Sequence, residues 1–267
     1  MTGADPQPLD AERARAFLHQ AARRVSDRVH RQIREDRRKL GEKTGIGADG
    51  TATRYIDQIA EDVLLEALNE SDLPLDVLSE EAGHIDRGGT HTLVMDPIDG
   101  TRNATHHIPF YCVSLAIGRS SISDVEYALV RNIPTGEFYW ARKGHGATLN
   151  GEPIRVRHSD PEELMVAAIF EEPTVERGFW GRPEHHVRDM GSSALEMALV
   201  ASGSFDAFVC PFAFLRVIDI AASVLILREA GGQVFGADAR PLDVPFDLKE
   251  RTAVFALADP ARLEAFL

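Results

Sequence analysis

The sequence predicts a layered protein of mixed helices and strands, α/β or α+β. Helical apolar stripes and short β-type runs alternate in blocks along the 267 residues, and consecutive runs end in carboxylates or turn residues. The length suits one large domain or two closely packed halves. Hydrophobic residues make up 44% of the chain, enough for a sizeable core, and charged residues 27%, enough for a well-solvated surface.

Residues 1–9 read as a disordered lead-in, and Asp10 as the cap of the helix that follows. Phe17, Ala21, Val25, Val29 and Ile33 recur every four residues, which predicts one long amphipathic helix over 11–38. The Gly- and Thr-rich stretch 41–53 reads as a loop. Ile56, Ile59, Ala60, Val63, Leu64 and Leu68 then share one face of a second helix. Strands are expected at 75–78, 93–95, 110–118, 125–130 and 137–140, with turns at Pro134-Thr135-Gly136 and Asn150-Gly151. A second half, 151–267, follows the first, 10–150. It is expected to hold strands at 165–170, 205–209 and 253–257, a helix from Ser192 or Ser193, and a short helix from Pro260. Residues 220–230 are almost wholly apolar and predict a buried helix ended by Gly231-Gly232.

Asp plus Glu number 42 against 29 Lys plus Arg, a net charge of -13. That balance argues against nucleic acid and anionic membranes as partners. A small phosphate-bearing substrate stays open, because bound cations can supply local positive charge. Cys112 and Cys210 stand far apart and outside any CxxC pattern, so neither a disulfide framework nor a thiolate zinc site is expected. A reducing cytoplasm fits this usage. Residues 1–10 hold no apolar signal core, and no apolar run is long enough to span a bilayer.

The sharpest chemical signal is Asp96-Pro97-Ile98-Asp99-Gly100-Thr101. An apolar strand delivers Asp96 to its end, and a tight turn can bring Asp99 to the same point. Two converging carboxylates repel unless a cation lies between them, and hard oxygen donors suit magnesium. Gly100 and Thr101 then offer backbone amides for a phosphate. Taken alone, the hexapeptide could also be an ordinary Asp-Gly surface turn. Ser79-Glu80-Glu81 ends the preceding strand, so both acids can reach one crevice, although paired Glu residues are often simply solvated. Asp219 opens the apolar helix. It either serves the helix dipole or, if buried, needs a partner such as a metal. Arg216 is either a surface residue or a ligand for a second phosphate. The adjacent pairs His106-His107 and His185-His186 do not share a face, and no Ser, His and Asp triad stands out.

DPIDGTRN (96–103), LSEEAG (78–83) and VIDIAASVLILREAGG (217–232) resemble, in order and spacing, the three signatures of the inositol monophosphatase superfamily. GADGTATRYID (47–57) and IPFYCVSLAIG (108–118) resemble its archaeal branch, known for combined fructose-1,6-bisphosphatase and inositol-1-phosphatase activity. The resemblance implies an α+β fold, a layered α-β-α-β-α sandwich with the site between its halves. It implies a phosphatase with two or three magnesium ions, a small phosphate ester as substrate and a homodimer. Residue by residue, it implies Glu80, Asp96 and the Ile98 carbonyl around a first magnesium, and Asp96, Asp99 and Asp219 around a second. Gly100 and Thr101 would bind phosphate, Thr101 and Glu80 would orient the attacking water, and Glu81 would support the first metal. Asp49 resembles a loop aspartate that pairs with this threonine and can touch a third metal, with Thr51 or Thr53 as its companion. Gly191, Ser192 and Ser193 resemble a helix start that meets the substrate's alcohol portion. Cys210 to Leu215 is more apolar than the corresponding region of relatives, which leaves the substrate open. NADP and 3′-phosphoadenosine phosphate are alternatives within the phosphatases. A non-catalytic metal- or ligand-binding protein on the same fold, or a calcium-stabilised structural domain, are alternatives of another class.

Overall fold

A computed structural model describes residues 9–48, 50–157, 163–169 and 185–267. Asp49 and position 170 of the expected strand 165–170 fall outside these residues.

Helix α1 (Ala11–Asp36) starts as expected at Asp10, whose carboxylate accepts the Glu12 and Arg13 amides at 2.9 and 3.1 Å. It ends two residues before the expected limit, because the Asp36 carboxylate takes the Arg38 amide at 3.0 Å and turns the chain into a 3₁₀ segment, Arg37–Gly41. The stretch read as a loop is a β-hairpin, β1 (Lys43–Ile46) against β2 (Ala52–Arg54). Its first strand is exposed throughout, so no apolar alternation marks it. Helix α2 (Tyr55–Glu70) packs beside α1 through the apolar stripes of both.

The larger sheet contains β3 (Leu75–Ser79), β4 (Gly83–Ile85), β5 (His91–Asp99), β6 (Cys112–Gly118), β7 (Tyr127–Asn132), β8 (Phe138–Arg142), β9 (Ala147–Leu149) and β10 (Glu152–Ile154). Their order is β10-β9-β8-β7-β6-β5-β3-β4, with β3 and β5 parallel and the other pairs antiparallel. The sheet thus runs past residue 150 to Ile154. A short helix, α3 (Thr101–His106), follows β5 directly.

The smaller sheet contains β11 (Met165–Ala168), β12 (His186–Arg188), β13 (Ala207–Leu215), β14 (Gln233–Phe235) and β15 (Thr252–Leu257), in the order β12-β11-β13-β15-β14. The apolar segment Cys210 to Leu215 is the outer end of β13, where pairing with β15 becomes irregular. Between β12 and β13 runs α4 (Ser193–Ala201), and between β13 and β14 runs α5 (Val217–Glu229). A final short helix, α6 (Leu263–Phe266), closes the chain.

Three apolar clusters stack these elements into layers. One lies between α1, α2 and the larger sheet. A second fills the space between the two sheets and is built largely from α4 and α5. A third joins the outer face of the smaller sheet to α6. The result is an α-β-α-β-α sandwich. Helix α5 is buried on all sides because it has a sheet above and another below, which explains its lack of a polar face. Among the described residues no helix is long and apolar enough to cross a membrane.

Candidate active site

Strand register places the first two acids. Strands β3 and β5 are parallel, and Ser79 pairs with Met95, so the next residues come side by side: Glu80 just past the end of β3, and Asp96 where β5 loses that neighbour. On its other side β5 pairs with β6 through Asp96–Ser114 and Asp99–Cys112, with a bulge between them. Pro97, which has no amide to donate, sits in that bulge. The extra residue turns Asp99 to the same side as Asp96, and the Asp96 Oδ1 accepts the Ile98 amide at 3.0 Å.

Gly100 then takes φ 92° and caps α3. A Cβ there would stand 3.1 Å from the Gly191 and Phe110 carbonyls and from the Tyr111 Cβ, so both the conformation and the space call for glycine. Asn103 ties this turn to the second half by donating to the Phe110 carbonyl at 2.8 Å and the Met190 carbonyl at 2.6 Å. Across the same boundary, Asp99 Oδ2 accepts the Ser192 hydroxyl and the Ala194 amide, each at 2.7 Å. Ser192 and Ser193 are buried, and Gly191 is exposed beside them. The Ser192 hydroxyl is therefore turned to Asp99, whereas the sequence pointed it toward a substrate.

Asp219 lies in the first turn of α5, and Arg216 is the residue that caps that helix. The Arg216 amide donates to Asp219 Oδ2 at 2.7 Å. Its Nε reaches both carboxylate oxygens at 3.2 Å, and its Nη2 reaches Oδ1 at 2.8 Å. Its Nη1 stands 2.7 Å from Glu80 Oε1. Arg216 is thus a largely buried bridge inside the acidic cluster, with 15% of its side chain exposed. It is neither a surface arginine nor a residue reaching outward.

The electrostatics follow from this crowding. Burial pushes Asp96 well above the usual carboxylate range, and the charges of Asp99, Glu80 and Asp219 push it further, against the pull of Arg216. Burial and Asp219 also raise Asp99, while the Ser192 hydrogen bond opposes them. Burial works against the Arg216 charge, but Asp219 and Glu80 outweigh it and hold the guanidinium above its ordinary value. Glu80, Asp96, Asp99 and Asp219 face this one guanidinium, so the cluster carries excess negative charge on hard oxygen donors. Such a set fits a divalent cation of the magnesium kind. As placed, no three acidic, His or Cys side chains among the described residues form a ready metal clasp.

The hairpin β1–β2 covers the two glutamates. Its Ala48 amide donates to the Glu81 carbonyl at 3.1 Å. The Thr51 hydroxyl lies 3.4 Å from Glu80 Oε1, and the Thr53 hydroxyl donates to Glu81 Oε2, so the two threonines serve different acids. The carboxylate beside Thr101 is Asp57, whose Oδ1 lies 2.9 Å from the hydroxyl. The sequence had suggested Asp49 for that place, and Asp49 lies outside the described residues. Burial raises Asp57 to about 7, against its hydrogen bonds from Thr101 and Arg54. One turn along α2, Glu61 accepts the Ser79 hydroxyl and the Ala82 amide, bracing the chain on either side of Glu80 and Glu81. Asp57 and Glu61 escaped the sequence reading. Their signal was present: acids four residues apart, both adjoining the apolar stripe of a helix.

The inositol monophosphatase family matches residues 10–265. A fructose-1,6-bisphosphatase/inositol-1-monophosphatase of Methanothermobacter thermautotrophicus is 39% identical over 230 residues, covering 81% of this chain and 82% of that protein. A bifunctional NADP phosphatase/NAD kinase of Methanococcus maripaludis is 34% identical over 240 residues, covering 81% of this chain and 42% of that protein. A solved structure from Pyrococcus horikoshii, described as having similarities for inositol-1 monophosphatase, superposes with TM-score 0.85 at 29% identity, covering 96% of this chain and 98% of that one. A sandwich that gathers acids from β3, β5 and α5 at one crevice, shared along nearly its whole length with such phosphatases, makes this chain a member of the inositol monophosphatase family and a phosphoric monoester hydrolase.

Proposed function

We propose that the protein hydrolyses fructose-1,6-bisphosphate and inositol-1-phosphate with magnesium, as a cytoplasmic homodimer. The observation that carries the catalytic part is the placing of Glu80, just past the end of β3, beside Asp96 of the parallel strand β5, with Asp99 turned to the same side by the bulge and Asp219 near them from the second half. Glu80, Asp96 and the Ile98 carbonyl would hold one ion, and Asp96, Asp99 and Asp219 a second, with Glu81 in support and Asp49 beside a third. Bound magnesium supplies the positive charge that neutralises the phosphate and the surrounding carboxylates.

The chain's own groups do the rest. The amides of Gly100 and Thr101, at the start of α3, hold phosphate oxygens. Thr101 Oγ1 lies 2.9 Å from Asp57 and 3.0 Å from the Ile98 carbonyl. A hydroxyl carries one proton, so it cannot fully serve both acceptors. With Asp57 ionised the proton points to Asp57; with Asp57 protonated, Asp57 donates and Thr101 turns to Ile98. Thr101 can therefore take a proton from an attacking water while passing its own to Asp57. Burial, by raising Asp57, makes that carboxylate a better proton acceptor than an exposed one.

A second reading, NADP as substrate, is favoured by Phe212 and Phe214. They are 41% and 46% exposed on the strand that leads to Arg216, and exposed rings can stack on a nucleotide base. A panel of fructose-1,6-bisphosphate, inositol-1-phosphate, NADP and 3′-phosphoadenosine phosphate, assayed with and without magnesium, tests both. Phosphate release from the first two, dependent on magnesium, supports the primary reading. Preference for NADP selects the second, and release from none of the four discards both.

A further inference from the structure

Arg216 contacts both of the acids that the proposed metal pair would need from opposite sides of the crevice. Its fork uses Nη1 on Glu80 at 2.7 Å and Nη2 on Asp219 at 2.8 Å, while its own amide takes the second Asp219 oxygen at 2.7 Å. Both oxygens of Asp219 are thereby occupied. The pairing is well shielded, with 15%, 20% and 10% exposure for the side chains of Arg216, Glu80 and Asp219. A planar, permanently charged group in such a position does two things. It offsets the mutual repulsion of the acids, and it repels any cation that approaches the same oxygens. That the acids do not form a ready three-ligand clasp agrees with the guanidinium standing among them.

We propose that Arg216 is a positioning residue that holds Glu80 and Asp219 together and must withdraw from them when divalent cations bind, so that it sets the metal affinity of the site. The inference rests on the metal reading of the acidic cluster. It concerns a competition inside this chain: one guanidinium against a divalent cation for the same carboxylate oxygens. Lysine would keep the charge but lose the fork that spans two acids, and methionine would lose both.

Isothermal titration of magnesium into the parent protein and into Arg216→Met and Arg216→Lys tests this, with circular dichroism to establish folding and thermal melting to follow stability. Arg216→Met is expected to bind magnesium about tenfold or more tighter than the parent, because a like charge is gone from the binding oxygens. Arg216→Lys should fall between the two. Without metal, Arg216→Met should melt lower than the parent, because the acids lose their counter-charge, and magnesium should raise its melting temperature by more than it raises the parent's. If Arg216→Met folds only with magnesium, Arg216→Lys still carries the affinity comparison. Unchanged or weaker magnesium binding in both variants overturns the inference and leaves the metal reading standing. An absence of magnesium binding in parent and variants alike overturns both.

Discussion

The Ser192 hydroxyl donates to Asp99 Oδ2 at 2.7 Å, joining residues that lie 93 positions apart and on opposite sides of the crevice. This bond and the Ala194 amide on the same oxygen orient Asp99 of the DPIDGT segment from the second half of the chain. Ser192→Ala should cost about 1–3 kcal/mol of stability, the usual loss for a hydrogen bond to a charged, shielded group. Denaturant unfolding measures it. Asp99→Asn should remove most activity at saturating magnesium while leaving the circular dichroism spectrum unchanged. Near-parental turnover in that variant would contradict the proposed role.

Thr101 and Asp57 act as a unit in the proposed proton transfer. Asp57→Asn should lower kcat roughly 100- to 10,000-fold, the range for a positioned acid–base group. Thr101→Val should lower it comparably, and Thr101→Ser should retain most of it, because serine keeps the hydroxyl. Steady-state kinetics on whichever ester the panel identifies would show this, and a Thr101→Val enzyme as fast as the parent would exclude the transfer.

Glu196 is fully buried on α4, where its Oε1 accepts the Met190 amide at 2.7 Å. Burial raises its pKa from 4.5 to about 8. The unfolded carboxyl loses its proton near the lower value and the folded one near the higher. Across that window the folded state holds a proton that the unfolded state lacks, so raising the pH draws the protein toward unfolding. Glu196→Gln cannot ionise. Its melting temperature should therefore gain on the parent's as pH rises from about 5 to about 8, whatever the offset at low pH. Parallel melting curves over this range would refute the assignment.

Gly100 adopts φ 92° between two carbonyls and a Cβ, each 3.1 Å from where a side chain would begin. Gly100→Ala should cost about 1–3 kcal/mol from the left-handed backbone alone, more if the contacts cannot relax. It should also reduce kcat, because the same turn aims the Gly100 and Thr101 amides. Unfolding and turnover should fall together. A variant of parental stability would show that the turn tolerates a Cβ.

Much of this architecture was legible in the amino-acid order because the signals are local. The apolar stripes of α1 and α2, the uninterrupted apolar face of α5, and the acids ending β3 and β5 lie within short stretches, where periodicity and turn chemistry operate directly. The motif resemblance pointed to the family, and the layered sandwich and the family match agree with it. The hairpin Lys43–Arg54 was not legible, because its first strand buries nothing and leaves no alternation to read.

The pairings inside the crevice belong to the tertiary structure. Thr101 meets Asp57 rather than a nearer acid, Ser192 meets Asp99, and Arg216 turns inward to Glu80. Each joins residues distant in the chain through the packing of a helix start against the larger sheet and its turns: α2 brings Asp57, α4 brings Ser192 and α5 brings Arg216. Composition and spacing nominated the acids, since carboxylates at strand ends are visible in a linear string. Which hydroxyl, amide or guanidinium each acid faces depends on long-range packing, and burial sets the energy of every such choice by making an unpaired charge costly.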